Sequence, residues 1–318
     1  MTDFPAGLLD RPAVEAAGVV ALRYLDDAAA AAARLTDARD AEALHDFRVS
    51  VRRLRVTLRA YPGLHEGIPR KYRRRLRKLV RATNPVRDAE AQLAWFRDRS
   101  GQFTATQRAA LGALRSRLRA RRRRAQTRTH LGLQQRFTKL ERKIRRALAA
   151  LRSHAGTHEA PFRAIVAATL IKYAMDLRKR LAGASVTSAA DLHATRIAAK
   201  RLRYLLEPVE QSLVNGDQLI ARLKRLQDVF GSLTDAHELR AELQRSANTN
   251  RQAGIAAAAS LLETEVTGLL ATVREEWSTV AGGELETEIT AAAQQLRPTI
   301  PRRPPPPARR DSRLPAGA

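Results

Sequence analysis

The sequence predicts an all-α fold made of two helical bundles, one for each copy of an internal duplication. Ala, Leu, Arg and Glu dominate the chain, and runs of β-branched residues are missing, which is typical of helical proteins. Residues that break helices recur between the periodic segments, among them Pro62-Gly63, Asn84-Pro85 and Gly231. We therefore expect about five helices before residue 155 and about four or five after it.

The duplication is visible as two marker segments that occur twice in the same order. Residues 44–55 read LHDFRVSVRRLR, and residues 192–203 read LHATRIAAKRLR. Farther along each copy, RKL at 77–79 precedes an Asp-Ala pair at 88–89, and KRL at 224–226 precedes one at 235–236. Ordered, evenly spaced markers indicate a repeated unit. We predict a first repeat over 1–155, a second over 156–296 and a disordered Pro/Arg-rich tail over 297–318.

Local signals predict where individual helices begin. Asn84 followed by Pro85 is typical of an N-cap and the first helical position. Ser188 and Asp191 have the spacing of a capping box ahead of the second marker segment. Asp88 and Asp235 are expected near helix starts, where a carboxylate offsets the helix dipole, and we interpret both as structural.

Composition indicates a partner of negative charge. The chain has 58 Lys and Arg residues against 32 Asp and Glu, a formal net charge of +26, which favours nucleic acid, an anionic membrane or polyphosphate. The absence of cysteine excludes disulfides, thiolate metal sites and cysteine nucleophiles. We see no secretory signal and no run of about 18 apolar residues, so we expect a cytoplasmic protein without a membrane partner.

The first marker segment, wound as a helix, places an apolar arc beside a basic arc. The apolar arc carries Leu44, Phe47, Val51, Leu54, Leu58 and Tyr61; the basic arc carries His45, Arg48, Arg52, Arg55 and Arg59. The second copy keeps His193, Arg196, Lys200 and Arg203 on its basic arc, and Glu207 replaces the last arginine. Arginine suits phosphate because its guanidinium donates in pairs and stays charged. A solvated face with local ion pairs is the alternative, and the match between copies favours a binding surface.

Further basic residues follow each marker. The segment from Arg70 to Ala82 has a narrow apolar stripe, and the second copy has its counterpart at Lys224 and Arg225. The run from Arg119 to Arg124 reads equally well as a solvated helix end or a nonspecific nucleic-acid contact. Neither His45 nor His193 lies in an HxxxH or HExxH spacing that would support a metal site, and no cofactor or catalytic residue is predicted. We interpret His45 and His193 as hydrogen-bond donors to phosphate, which bind the anion more strongly when the imidazole is protonated.

Four segments resemble the CHAD family, a histidine-bearing α-helical domain. They read LHDFRVSVRRLR, RKLVRATNPVRDAEAQL, LHATRIAAKRLRYLLE and LKRLQDVFGSLTDA, and they span most of residues 10–295. The resemblance implies two bundles related by a pseudo-twofold axis, with a basic groove between them that binds inorganic polyphosphate. It also implies a place at polyphosphate granules, among other granule-associated proteins, and no catalysis. Carried over by position, the anion-binding residues are His45, Arg48, Arg52 and Arg55 with His193, Arg196, Lys200 and Arg203.

The sequence departs from the family pattern in two places. Residues 87–90 read RDAE, where the family often has a second aspartate. Some members also carry a CYTH domain, a β-tunnel that hydrolyses triphosphate and begins with ExExK. Here Glu284, Glu286 and Glu288 are followed by Ile289 in a helix-like stretch, which argues for a stand-alone domain without enzyme activity.

The sequence thus predicts a polyphosphate-binding protein, with a nonspecific nucleic-acid binder as the alternative. Aromatic residues make up only 4% of the chain, whereas single-strand binders stack bases on aromatic rings. The predicted polyphosphate-binding residues are His45, Arg48, Arg52, Arg55, Arg59, Arg73, Arg74, Arg77, Lys78, Arg81, His193, Arg196, Lys200, Arg203, Lys224 and Arg225.

Overall fold

The structure, a computed structural model, describes residues 4–37, 40, 42–153, 160–183, 188–246, 252–281 and 283–296. These residues are almost entirely helical and contain no strand, only an isolated bridge between Pro12 and Pro161. The predicted all-α class is confirmed. The predicted repeat boundary at 155–156 and the predicted tail at 297–318 lie outside the described residues.

Eleven α-helices are present in the described part of the chain, six before residue 155 and five after it. They are α1 (Ala13–Arg34), α2 (Ala43–Ala60), α3 (Pro62–Gly67), α4 (Arg70–Ala82), α5 (Asn84–Asp98), α6 (Ala105–Ser153), α7 (Phe162–Gly183), α8 (Ala189–Leu206), α9 (Gly216–Ser246), α10 (Gln252–Ala281) and α11 (Glu284–Gln295). Ser188 caps α8 by accepting from the Asp191 amide at 3.3 Å, as its spacing predicts. Short 3₁₀ turns lie at Leu8–Asp10, Ser100–Gln102 and Glu207–Ser212.

The helices share one continuous hydrophobic core. In the first half α1 packs against α2 and α6, and α2 packs against α3 and α4. In the second half α8 packs against α7 and α9, and α10 packs against α9, α6 and α7. The buried cluster extends from Leu8 to Leu296, so apolar packing continues from one half into the other. The pseudo-twofold relation and the duplication itself stay predictions.

The two copies of the second marker segment differ in helical continuity. In the first copy the chain ends α4 at Ala82 and starts α5 at Asn84, whereas in the second copy α9 is uninterrupted. The prediction that Gly231 breaks a helix is therefore wrong. Proline stops a helix because its ring clashes with the preceding turn and it lacks an N–H donor, whereas glycine in a helix lowers stability by only about 1 kcal/mol relative to alanine. For the same reason Asp235 lies inside α9 and not near a helix start, unlike Asp88 in α5.

A partly buried ion pair joins the two halves. The Arg53 Nε donates to Glu207 Oε2 at 2.7 Å, linking α2 to the turn that follows α8. The guanidinium of Arg53 also lies 5.8 Å from the ring centroid of Tyr24 and 5.7 Å from that of Tyr204. Because this arginine is held by a carboxylate and two rings, it fixes α2 relative to α8 and does not belong to the basic arc.

One helix has the length and apolar composition of a membrane-crossing segment. It is the stretch Ala253–Glu275 of α10, with a mean hydropathy of 1.3, the one such stretch within the described residues. Of its carboxylates, Glu263 forms an ion pair with Arg240 and Glu265 forms one with Arg99 inside the fold. The expected absence of a membrane-spanning segment stays a prediction.

Candidate anion-binding site

The two marker helices lie against each other and present their basic arcs to a common groove. In α2 the predicted apolar arc is buried throughout, including Phe47, Val51 and Leu54. In α8 Leu192, Leu202 and Leu206 are buried in the same way. Since each apolar arc is fixed in the core, the neighbouring basic arcs are fixed at its edge, where α2 and α8 are in contact.

Cations from three helices meet in this groove. Burial is the main cause that lowers the pKa of Arg196 and of Lys200 in α8, and repulsion from Arg52 of α2 adds to both shifts, so the arcs of the two halves face each other. Arg55 of α2 interacts in the same way with α4 and α8. The basic groove, as we call it, consists of Arg52, Arg55, Arg77, Arg81, Arg196, Lys200 and Arg201.

Lys200 is the most strongly perturbed cation of the groove. Burial, followed by repulsion from Arg196, Arg52 and Arg203, lowers its pKa to about 7. Asp235 of α9 opposes this shift only weakly. A lysine that repels its neighbours and is largely removed from water is held in a position that a bound anion would stabilise.

An arginine pocket continues the groove between α2 and α4. It has a volume of about 450 Å³, and of the described residues that line it none is acidic. Its lining consists of Arg55, Arg59, His65, Arg70, Arg73, Arg74 and Arg77. Burial, followed by repulsion from Arg77, Arg201, Arg52 and Arg81, lowers the pKa of Arg55 to about 10, so this side chain keeps its charge at neutral pH. Arg55 belongs to both the groove and the pocket and makes them one continuous cationic surface.

Arg73 anchors one wall of the arginine pocket. Its Nη1 donates to the carbonyl oxygens of His65 at 2.6 Å and Ile68 at 3.1 Å. These carbonyls lie at the end of α3, where the helix itself leaves them unpaired. Arg73 therefore fixes α3 against α4 and supports the pocket from its edge.

Arg48 is placed differently from its predicted role. It is only 6% exposed, and its Nη1 donates to Val80 O at 3.2 Å, to Asn84 Oδ1 at 3.1 Å and to Thr83 Oγ1. Burial is the main cause that lowers its pKa to about 10. The side chain closes the junction between α4 and α5 from inside the fold, so it supports the groove and presents little surface to it.

Arg196 occupies the matching place in the second half. A side chain at Gly231 would put its Cβ 2.9 Å from the Arg196 Nη2, so the guanidinium lies directly against α9 at this glycine and would have to shift if a side chain were present. In the first copy Arg48 lies at the break between α4 and α5, whereas in the second copy Arg196 lies against a glycine inside the continuous helix α9. The two arginines are therefore positioned by different means.

Carboxylates close one end of the groove. Asp88 and Asp235, the matched aspartates of the two copies, interact with each other, with Arg48 and Arg196, and with Glu238. Burial is the main cause that raises the pKa of both Asp88 and Glu238. Carboxylates thus offset the positive charge of the groove at this end, whereas the described lining of the arginine pocket is entirely basic.

The remaining predicted residues vary in their relation to the groove. His45 and His193 are exposed near the starts of α2 and α8, and partial desolvation of the imidazole, followed by repulsion from Arg196 and Lys200, lowers the pKa of His193. Arg203 interacts with Lys200 but also pairs with Glu207 at 3.5 Å. Lys224 and Arg225 are exposed on α9, and no hydrogen bond or ion pair among the described residues joins them to α2 or α8.

Sequence reasoning missed two basic residues of this surface. Arg201 lies one position from the predicted basic arc of α8, yet it interacts with Arg55 and Arg59 across the groove. His65 enters the arginine pocket from α3, a six-residue helix without a marker segment. The described residues contain no group of three His, Cys, Asp or Glu side chains that could hold a metal ion.

Comparisons with known proteins agree with this architecture. The CHAD domain family model matches residues 20–244. The fold is similar to the crystal structure of the CHAD domain from the plant Ricinus communis, with a TM-score of 0.64 and 24% identity over 93% of this chain and 96% of that chain. It is also similar to PptA from Streptomyces chartreusis, with a TM-score of 0.64 and 19% identity over 85% of this chain and 99% of that chain. No curated protein matches the chain significantly.

Proposed function

The chain belongs to the CHAD family, and we propose that it binds inorganic polyphosphate in the basic groove and the arginine pocket. The observation that carries this proposal is the arginine pocket, where the described residues around about 450 Å³ are six arginines and a histidine, with no carboxylate among them. A ligand with a negative charge on every repeating unit would neutralise such a surface most completely. The association of the family with polyphosphate supports the same ligand.

The burial of the groove cations favours a slim chain over a nucleic-acid duplex. Arg55, Lys200 and Arg201 are partly buried, so their charged groups lie below the surrounding surface. A linear chain of phosphates can lie along this recess, whereas a duplex presents its phosphates on a rigid cylinder. From Arg52 to Arg59, α2 alone extends roughly 10 Å, enough for a few consecutive phosphates.

The aromatic residues beside the groove argue against single-stranded nucleic acid. Tyr204 is buried, and Tyr173 is partly buried next to Arg59 and Arg201. The groove, as far as the structure describes it, therefore lacks the row of exposed rings on which bases stack. The competing function, nonspecific nucleic-acid binding, is favoured by the exposed run from Arg119 to Arg124 on α6.

The proposal extends to the role of the protein in the cell. We place it in the cytoplasm at polyphosphate granules, where other granule-associated proteins are candidate partners. Binding requires no cofactor and no chemical step at the groove. The arrangement of cations supplies attraction and shape, and we assign it no catalytic residue.

Polyphosphate affinity is expected to fall as pH rises above about 7, because of Lys200. In the free protein its pKa is about 7, and a bound polyanion favours the charged form and raises that pKa. Binding is therefore strongest below pH 7, where Lys200 is already protonated, and weakens by up to about tenfold per pH unit above it. Calorimetric titration with long-chain polyphosphate between pH 6 and 9 measures this change.

The Lys200→Arg variant is the matched control for this titration. Its guanidinium stays protonated over the whole range, so its affinity should change little between pH 7 and 9. No detectable binding by the native protein at pH 6.5 would contradict the proposed function. Binding with the same pH dependence in both proteins would contradict only the role of Lys200.

A further inference from the structure

A second groove lies on the opposite flank of α4, away from the arginine pocket. It separates α4 from α6 and has a volume of about 560 Å³. Its floor is apolar and formed by Leu79, Leu133 and Leu140, which are between 3% and 7% exposed. We call it the α4–α6 groove.

The rim of this groove is cationic along both helices. Arg75 and Lys78 border it on α4, and Arg136, Lys139 and Lys143 border it on α6. All five side chains are exposed, and no ion pair within the described residues engages the three on α6. None of the described residues that line the groove is acidic. The groove thus combines an apolar floor with two unneutralised basic edges.

We propose that the α4–α6 groove binds an acidic amphipathic helix of a partner protein. The residues from Leu133 to Lys143 extend about 15 Å along α6, which matches roughly three turns of a helix lying parallel to the groove. An apolar stripe on that helix would contact the leucine floor, and Asp or Glu residues flanking the stripe would pair with the two basic edges. This function is additional to polyphosphate binding and does not depend on it.

The apolar floor distinguishes this occupant from other anions. Polyphosphate has no apolar surface and would gain nothing from covering the exposed Ala82 and the edges of the three leucines in this groove. A membrane-binding face needs apolar side chains that protrude into the bilayer, whereas these leucines lie below the cations. Among the described residues the large exposed hydrophobic side chains are Met175 and Val214, and neither lines the groove.

The test uses two labelled synthetic peptides of identical composition. One repeats leucine at helical spacing with glutamates on both flanks, and the other has the same residues permuted so that no apolar face forms. By fluorescence anisotropy at physiological salt, the patterned peptide should bind the full-length protein at least about tenfold more tightly. The triple variant Arg136→Glu, Lys139→Glu, Lys143→Glu should lose that binding, and a patterned peptide with lysines for glutamates should bind it instead.

The triple variant Arg119→Glu, Arg123→Glu, Arg124→Glu is the matched control, with the same charge change on exposed positions of the same helix. It should retain the preference for the patterned peptide. Equal binding of both peptides, or an equal loss in the control, would overturn the proposal. The proposal would also be overturned if the native protein bound both peptides equally while the Arg136, Lys139 and Lys143 variant, but not the control, lost binding to polyphosphate or to phosphatidylserine vesicles. The groove would then be assigned to the ligand that was lost.

Discussion

Replacing Arg52, Arg55 and Lys200 together with glutamine is expected to weaken polyphosphate binding about 1,000-fold. The three side chains come from both marker helices and meet in the basic groove. A hydrogen bond to a charged group contributes about 1.5–3 kcal/mol, and about 1.4 kcal/mol is a factor of ten in affinity. Glutamine keeps the size and helix propensity of these positions while removing the charge. Filter retention or calorimetry at physiological salt measures the change.

The matched control replaces Arg119, Arg123 and Arg124 with glutamine, which removes the same charge from exposed positions of α6. We expect at most about a threefold loss of polyphosphate affinity in this protein. The groove variant should also melt at the same temperature as the native protein or higher, since it relieves repulsion between partly buried cations. Equal losses in the two variants would mean that polyphosphate responds only to net charge.

Replacing Arg48 with alanine is expected to lower the free energy of unfolding by about 3 kcal/mol. The substitution leaves a cavity and removes the donor to Val80 O, Thr83 Oγ1 and Asn84 Oδ1 at the α4–α5 junction. Thermal and urea unfolding of the variant measure the loss. Well below its melting temperature, the folded variant should keep polyphosphate affinity within about fivefold of the native value.

The opposite result would restore the role that Arg48 has by resemblance to the family. If Arg48→Ala unfolds like the native protein but no longer retains polyphosphate, then Arg48 contacts the anion directly. The Arg48→Lys variant separates the two roles, because lysine keeps the charge but cannot donate to the three acceptors from one planar group.

The helical periodicity of the sequence was sufficient to predict the fold class and the orientation of the marker helices. The predicted apolar arc of α2 is buried at all six positions, from Leu44 to Tyr61. Strong helix formers and a period of 3.6 residues are local properties, so they can be read without knowing what the helix packs against. The same period predicted which cations lie beside the core.

The periodicity could not predict how deeply each basic side chain is buried or which residues it contacts. Arg48 and Arg52 share one basic arc, but only Arg48 reaches the α4–α5 junction and is buried. Arg201 is off that arc and still joins the groove, because α2 and α8 bring it close to Arg55. These outcomes depend on how helices distant in sequence are arranged, which a helical wheel does not contain.

The sequence patterns also could not predict where a helix continues without a break. Gly231 and Pro85 both read as breakers, yet only the proline ends a helix. Gly231 instead lies inside α9, directly against the Arg196 guanidinium of α8, a contact between two helices. The arginine pocket likewise depends on the turn of α3, which brings His65 opposite α4.

The most direct test of the central claim is competition at physiological salt. Labelled long-chain polyphosphate is bound to the full-length protein and challenged with unlabelled polyphosphate, single-stranded DNA, duplex DNA and RNA at equal concentrations of phosphate. We expect polyphosphate to displace the label at least about tenfold more effectively than any nucleic acid, because the groove cations are partly buried and lack stacking rings. Equal displacement per phosphate by all four polyanions would contradict a selective groove and favour nonspecific nucleic-acid binding.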